Sequence, residues 1–299
     1  MSTGADSAQN LRQRRQTDLL GWFGDRKRDL PWRWTRDPWA VLVSELMLQQ
    51  TQVARVLPRY EAFLDRWPTP ADCAAAPLGD IVTAWAGLGY NRRAVNLHRC
   101  AVIVTDRHGG ELPTDLTGLL ALPGIGPYTA RAVLAFAHEA DVGVLDTNAA
   151  RVLARWAGHP LRPREAQDAA DAGVPAGRGW AWNQAMLDLG ATVCRARNPS
   201  CDECPVATEC SWHVAGHPSP DPAVGSAGVS GPQSRFDGSD RQGRGRLVDA
   251  LRRGRVAPAD VAELAGWPDD PERAARVAAT LVADGLATVD VDGTLHLPT

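Results

Sequence analysis

Four of the chain's six cysteines fall in one short stretch, as Cys194-x6-Cys201-x2-Cys204-x5-Cys210. Thiolates spaced like this converge on a single centre only if the backbone doubles back on itself, so this stretch constrains the fold more than any other. Met1–Asn10 is small and polar, without the apolar core of a signal peptide. No apolar run approaches the roughly 18 residues of a membrane helix. The chain is therefore expected in the cytoplasm, without a membrane partner. In that compartment a four-cysteine cluster is a metal site far more often than a disulfide framework. Zinc is satisfied by four thiolates, but its sites usually pair two short C-x2–4-C hooks. The x6 opening fits a [4Fe–4S] cluster better, with Cys194, Cys201, Cys204 and Cys210 as ligands. Cys73 and Cys100 stand apart in helical patterns and read as buried core thiols.

Around the cysteines the pattern is helical. From Thr17 to about Trp212, amphipathic segments follow one another with Gly/Pro punctuation: Pro38–Thr51, Val53–Arg66, Pro77–Ala86, Arg92–Arg107, Thr114–Leu122, Tyr128–His138 and Asn148–Trp156. Residues 1–16 are expected to be disordered, 17–214 to form a helical domain with a cluster loop at 194–210, and 215–244 to be a flexible linker rich in Gly, Ser, Pro and Asp. Residues 245–299 recover order as three helices, Gly245–Arg253, Ala257–Ala265 and Pro271–Asp284. An alternating segment around Asp292-Gly293 then suggests a hairpin, and with it a small winged-helix-like module. The fold class is all-α.

Net charge decides little. The chain carries −3 overall, yet basic residues crowd its start from Arg12 to Arg36, and a local basic face can grip phosphates in a neutral protein. Lys27 is the only lysine. Any mechanism that needs an amine Schiff base has that single candidate.

Three short segments carry further chemistry. Leu122-Pro-Gly-Ile-Gly-Pro-Tyr-Thr-Ala130 places Gly124 and Gly126 in a tight turn that opens a helix, where free N–H groups can hold a phosphate. Plain helix–helix punctuation would use the same residues. Farther on, Asp146 and Asn148 stand at the mouth of the next helix; an N-cap is the simple role for Asp146. Glu45 is harder to explain structurally, because it interrupts the apolar run Trp39–Leu48. A carboxyl there is costly unless functional, and its pKa is expected to be raised. A neutral Glu45 and an ionised Asp146 would make an acid/anion pair.

Taken together these residues resemble the helix-hairpin-helix DNA glycosylase superfamily, and within it the MutY adenine glycosylases. The resemblance covers about residues 17–213. It rests on Leu-Pro-Trp-Arg33, Ser-Glu-Leu-Met-Leu-Gln-Gln-Thr-Gln52, Gly-Leu-Gly-Tyr90, Leu-Pro-Gly-Ile-Gly126, Leu-Asp-Thr-Asn148, Asn-Gln-Ala-Met-Leu-Asp-Leu-Gly190 and the four cysteines. It implies two helical subdomains, one bearing the [4Fe–4S] loop, and a monomer acting on double-stranded DNA with a mismatched adenine flipped into a pocket. By the same resemblance Glu45 protonates the departing adenine, Asp146 stabilises the cationic sugar and Asn148 holds the pair. Arg33 and Gln184 line the adenine pocket. Gln49, Gln50, Tyr90, Gly124 and Gly126 contact DNA, with Gln50 and Tyr90 wedging beside the opposite base. Tyr128 stands where strand-cutting relatives carry lysine, which implies base removal without strand cleavage. Arg195 and Arg197, in the cluster loop, are expected near the DNA backbone.

The sequence departs from the family pattern in two places. Tyr90 is followed by Asn91 where typical members have a second tyrosine, and the residues after the linker are too few for the Nudix-like domain of longer members. The C-terminal module is expected to take a DNA or protein partner. A thymine or uracil mismatch glycosylase would share the cluster, the hairpin and a tyrosine near position 128. Glu45 favours adenine, since a purine leaving group gains more from protonation. A non-catalytic iron–sulfur DNA-binding protein would gain nothing from Glu45 and Asp146.

Overall fold

The computed structural model describes residues 3–229 and 235–299. In chain order its helices are α1 Thr3–Arg26, α2 Pro38–Leu48, α3 Val53–Arg66, α4 Pro70–Ala75, α5 Leu78–Ala84, α6 Arg92–His108, α7 Leu116–Leu120 and α8 Pro127–Ala137. They continue as α9 Thr147–Ala157, α10 Pro163–Gly173, α11 Gly179–Asp188, α12 Ser211–Val214, α13 Asp240–Arg253, α14 Val261–Ala265 and α15 Pro271–Asp284. Two short strands, β1 Thr288–Val289 and β2 Leu295–His296, pair antiparallel with Thr288 opposite His296. No helix among the described residues is long and apolar enough to cross a membrane. The chain divides into two compact units, Met1–Pro38 with Gly126–Gly231, and Trp39–Ile125 with Pro232–Thr299.

The first unit is built around α9 and α11. Asp146 caps α9 by accepting from the N–H groups of Asn148 and Ala149, and Gly158 closes it in the left-handed region. The core gathers Leu19 and Phe23 from α1, Val152 and Trp156 from α9, and Trp182 and Met186 from α11. The end of α11 widens into a π-helical turn, Leu189–Val193, that delivers Cys194, whose N–H reaches the Leu189 carbonyl at 2.7 Å.

Two expectations fail in this unit. The chain is helical from Thr3, where residues 1–16 were expected to be disordered. Arg15 and Gln16 supply part of the reason: Gln16 Nε2 donates to the Gly173 carbonyl at 2.8 Å, and the Arg15 guanidinium lies 4.9 Å from the Trp156 ring. The expected linker 215–244 is also largely ordered. Asp221 pairs with Arg155 at 2.6 Å, Ala227 N–H reaches the Leu161 carbonyl at 2.9 Å, and Ala223 is buried. Residues 230–234 lie outside the described residues. Helix α13 then starts at Asp240, five residues before the expected boundary, because the Ser239 side chain caps the Gln242 N–H.

In the second unit α2 is apolar on every side and buried from Trp39 through Met47, as a helix without a polar face must be. Helix α3 is amphipathic and buries Val56, Tyr60 and Phe63 on one face. Helices α4 and α5 both pack on α6. The C-terminal helices α13, α14 and α15 pack together, and Val256 bridges to Leu295 beside the hairpin, as expected of a winged-helix-like module. Residues 245–299, expected as a small module of their own, share this unit with 39–125, where α13 packs against α5.

Candidate active site and iron–sulfur loop

In the second unit Glu45 is buried in α2, 5% exposed. Beyond the end of α2 the chain turns at Gln49 and Gln50, and Gln50 has φ 54°. Tyr90, at the turn before α6, has φ 45° and is 43% exposed. Left-handed backbone is uncommon for such side chains and persists only where the surroundings impose it. Arg93 imposes it here. Its buried guanidinium donates to the carbonyls of Leu46, Met47 and Gln49 at 2.6, 2.9 and 2.7 Å, and to those of Leu88 and Gly89 at 3.0 and 2.9 Å. One side chain thus fixes the Gln50 and Tyr90 turns to each other. Burial lowers the Arg93 pKa to about 10, which leaves it charged at neutral pH. Gly124 also lies in this unit, with φ 77°. A Cβ there would stand 2.6 Å from Cβ of Asn96, so only glycine closes the hairpin.

In the first unit Gly126 is the N-cap of α8 and Tyr128 lies in its first turn, half-buried. Lys27 holds its amine 5.2 Å from the centre of the Trp34 ring. Asp146 accepts from the N–H groups of Asn148 and Ala149 at 2.9 and 2.7 Å, and from Nδ2 of Asn148 at 2.8 Å. Burial raises the pKa of its carboxyl above the ordinary value, while these donors and the Arg151 charge pull the other way. Arg151 donates to Oδ1 of Asn148 at 2.9 Å, to the Gly190 carbonyl at 2.6 Å and to the Cys194 carbonyl at 2.7 Å. A Cβ on Gly190 would meet Cβ of Asn148 at 2.6 Å, which accounts for the glycine that ends the Leu-Asp-Leu-Gly190 motif.

Arg33 is buried and forks onto Asp188 with two 2.8 Å bonds, while Arg28 Nε adds a third at 2.5 Å. Burial would raise the Asp188 pKa, but the two guanidinium groups outweigh it and hold the carboxyl below its usual range. Arg33 was expected to line the adenine pocket; the structure engages both terminal nitrogens of its guanidinium in this pair. Gln184 is buried on α11.

Cys194, Cys201, Cys204 and Cys210 line one small pocket with Leu189 and Val193. Arg155 is buried beside it and donates to Sγ of Cys194 at 3.2 Å. Burial, with the neighbouring cysteines, pushes the Cys204 thiol up to about 12, partly offset by the Val206 N–H. Four soft sulfur donors lining one small pocket are the ligand set of an iron–sulfur centre, so the residues fit the group. His217 Nε2 lies 3.4 Å from Sγ of Cys201 and 3.1 Å from His213 Nδ1. Arg195 and Arg197 are exposed in this loop, and Arg195 donates to the Asn198 carbonyl and the Ser200 hydroxyl.

Sequence reasoning missed Arg93, Arg151, Arg155 and Asp188. The three arginines donate largely to backbone carbonyls distant in sequence and Asp188 accepts from distant Arg33 and Arg28, so none leaves a local signature, although a charged residue inside an apolar helix face was available as a hint.

Comparison with known proteins places this arrangement. Residues 43–175 match the HhH-GPD superfamily of base excision DNA repair proteins, and residues 194–210 match the iron–sulfur binding domain of endonuclease III. The chain is 43% identical over 292 residues to an adenine DNA glycosylase of Mycobacterium tuberculosis, covering 94% of this chain and 93% of the relative. The chain belongs to the HhH-GPD superfamily. Another relative, the adenine DNA glycosylase of Mycolicibacterium smegmatis, is 42% identical over 286 residues and covers 94% of each chain. Matches of that span run through the C-terminal module as well as the HhH-GPD region. Among solved structures, a thermostable thymine-DNA glycosylase superposes with a TM-score of 0.65 at 28% identity, covering 70% of this chain and 99% of that one. The [4Fe–4S] cofactor follows from the cysteine loop and its family match.

Proposed function

We propose that this chain is a monofunctional adenine DNA glycosylase that hydrolyses the N-glycosidic bond of adenine mispaired with 8-oxoguanine or guanine, acting as a cytoplasmic monomer. The 43% identity to an adenine DNA glycosylase along 94% of the chain carries the reading. The chemistry of the two carboxyl groups agrees with it.

As the bond between adenine and sugar breaks, its electron pair leaves with the base. Glu45, as general acid, supplies the proton that neutralises it. The sugar is left as an oxocarbenium ion, and the Asp146 carboxylate supplies the compensating charge. Asn148 and Arg151 hold that carboxylate in one orientation. Water then adds to the sugar and gives its proton to Glu45, which restores the acid. No step needs an amine, in keeping with Tyr128 at the start of α8 and with Lys27 on the face of Trp34. Buried Gln184 and the DNA-facing Gln49, Gln50 and Tyr90 would orient the flipped base and fill the stack it leaves. When bound, the cluster would hold the four-cysteine segment as a rigid loop; Arg195 and Arg197, exposed in that loop, would supply the positive charge that meets the DNA backbone.

The experiment is a single-turnover assay on duplexes carrying A opposite 8-oxoguanine, A opposite G, A opposite T, and T opposite G, each read with and without hot alkali. Alkali-dependent breakage at adenine opposite 8-oxoguanine or guanine is expected. Release of thymine would move the chain to the mismatch reading, and breakage without alkali would overturn the monofunctional one.

A further inference from the structure

Asn91 stands where the family motif continues with a second tyrosine, and the structure gives that substitution a partner. Arg252, on α13, donates Nη2 to Oδ1 of Asn91 at 2.9 Å and to the Val82 carbonyl at 2.8 Å. The C-terminal module is thereby fastened to the residue that follows Tyr90. Other contacts make the fastening a packed one. Arg92 and Arg244 share Asp284, at 3.4 and 2.5 Å. The Gly79 N–H reaches the Pro298 carbonyl at 2.8 Å, and a Cβ on Gly79 would come within 2.7 Å of that oxygen.

Docking in this way creates a groove. Gln50, Arg55, Tyr90 and Arg92 form one wall, and Phe236 and Arg241 belong to the other. Arginines dominate the charge of the lining, and Asp249 is its one acid among the described residues. The chain as a whole carries −3, so this concentration of cations is local rather than a reflection of composition. Two aromatic rings stand open to solvent here: Tyr90 at 43% and Phe236 at 54% exposure, the latter with the Arg241 guanidinium 5.9 Å from its centre. Arginine interleaved with exposed aromatic rings is the chemistry of a nucleic-acid surface, with cations for phosphates and rings for bases.

We propose that residues 236–299 are a strand-holding element: fastened to the Tyr90 turn by Arg252, they wall a cationic groove that takes the DNA strand opposite the excised base. The proposal rests on the reading that Gln50 and Tyr90 enter the duplex. It adds that their neighbours across the groove, Phe236 and Arg241, continue the contact along that strand.

The test uses the full chain with its cluster, and the double variant Phe236→Ala, Arg241→Glu. The first of these side chains is exposed and the second half-buried, so the fold should survive. The probe is a duplex with non-cleavable 2′-fluoro-2′-deoxyadenosine opposite 8-oxoguanine, read by equilibrium binding across salt concentrations and by hydroxyl-radical footprinting of each strand. Binding is expected to weaken about tenfold, the dependence of log Kd on log salt to flatten by about one, and protection to shrink on the strand opposite the adenine. Affinity, salt dependence and footprint all equal to wild type would overturn the proposal and leave the groove to a protein partner. Adenine release by the wild-type chain is measured alongside. If thymine is released instead while the variant still weakens binding, the groove stands and the substrate reading falls. If adenine is released and the variant binds as wild type, only the groove proposal falls.

Discussion

Arg151 donates to Oδ1 of Asn148 across 2.9 Å, and through the same guanidinium it reaches the carbonyl of Cys194 at 2.7 Å. Asn148 in turn donates to Asp146 at 2.8 Å. The Asp146 carboxylate, proposed to face the sugar cation, and the first cluster cysteine are therefore tied to one buried cation. Arg151→Met keeps the bulk and removes every donor. It should lower the single-turnover rate of adenine release by about 10- to 100-fold, and it should also reduce the iron bound per chain. A variant with normal iron and a normal rate would show that Asn148 and the cysteine loop hold their positions unaided.

The Glu45 carboxyl is assigned the acid's part, so Glu45→Gln should cut the rate of base release by at least about 100-fold. The amide is isosteric and α2 is otherwise unchanged, so the Kd for a mismatched duplex should stay within about threefold. Comparable turnover in the variant would remove Glu45 from the chemistry.

Acid should silence the enzyme sooner than an ordinary aspartate would. Burial raises the Asp146 pKa above 3.8, and the reaction needs the anion. The rate should then fall with decreasing pH along a limb centred above 3.8, measured by single-turnover kinetics across the acid range. The same shift has a stability consequence of fixed sign: a carboxyl whose folded pKa is raised favours the folded state at low pH and loses that contribution as pH rises through the raised value. A limb at or below 3.8 would contradict this account of Asp146.

Much of this site was legible because its residues announce themselves locally. Asp146 caps a helix, Gly124 and Gly126 bend a hairpin, Glu45 interrupts an apolar run, and four cysteines crowd one loop. Most helices were legible for a similar reason, since α3 and α15 carry an amphipathic period with clear ends. What stayed hidden depends on tertiary partners. Residues 221–229 look like linker by composition, yet Asp221 is drawn down onto buried Arg155. The first half of α1 looks too polar to order, and at its middle Gln16 and Arg15 donate to the carbonyls of Gly173 and Trp156. Arg33, expected to line the adenine pocket, is committed to Asp188, a residue no motif flagged as its partner.

That pairing has its own consequence. Asp188 is 1% exposed and accepts from both Arg33 and Arg28. Asp188→Ala would leave the buried Arg33 charge uncompensated, which costs about 3–5 kcal/mol. Since small domains are stable by only about 5–15 kcal/mol, the denaturant midpoint should drop sharply. A midpoint within error of wild type would mean that solvent reaches Arg33.

Arg93 provides the complementary case in the second unit, where the effect should fall on recognition rather than on the cluster. Its fork serves five carbonyls from Leu46 to Gly89 and the Thr51 hydroxyl. Lysine keeps the charge but offers one ammonium in place of a planar fork, so it cannot span both turns. With Arg93→Lys, the left-handed turns at Gln50 and Tyr90 lose the bonds that impose them, and each side chain has a less strained conformation to relax into. Mismatch affinity should fall about tenfold for each 1.4 kcal/mol of orientation lost. Iron content should stay normal, because the four cysteines and Arg155 belong to the other unit. Measuring Kd on the non-cleavable duplex together with iron per chain separates the two effects. Loss of iron without loss of affinity would mean that Arg93 stabilises the chain as a whole and does not set the two turns.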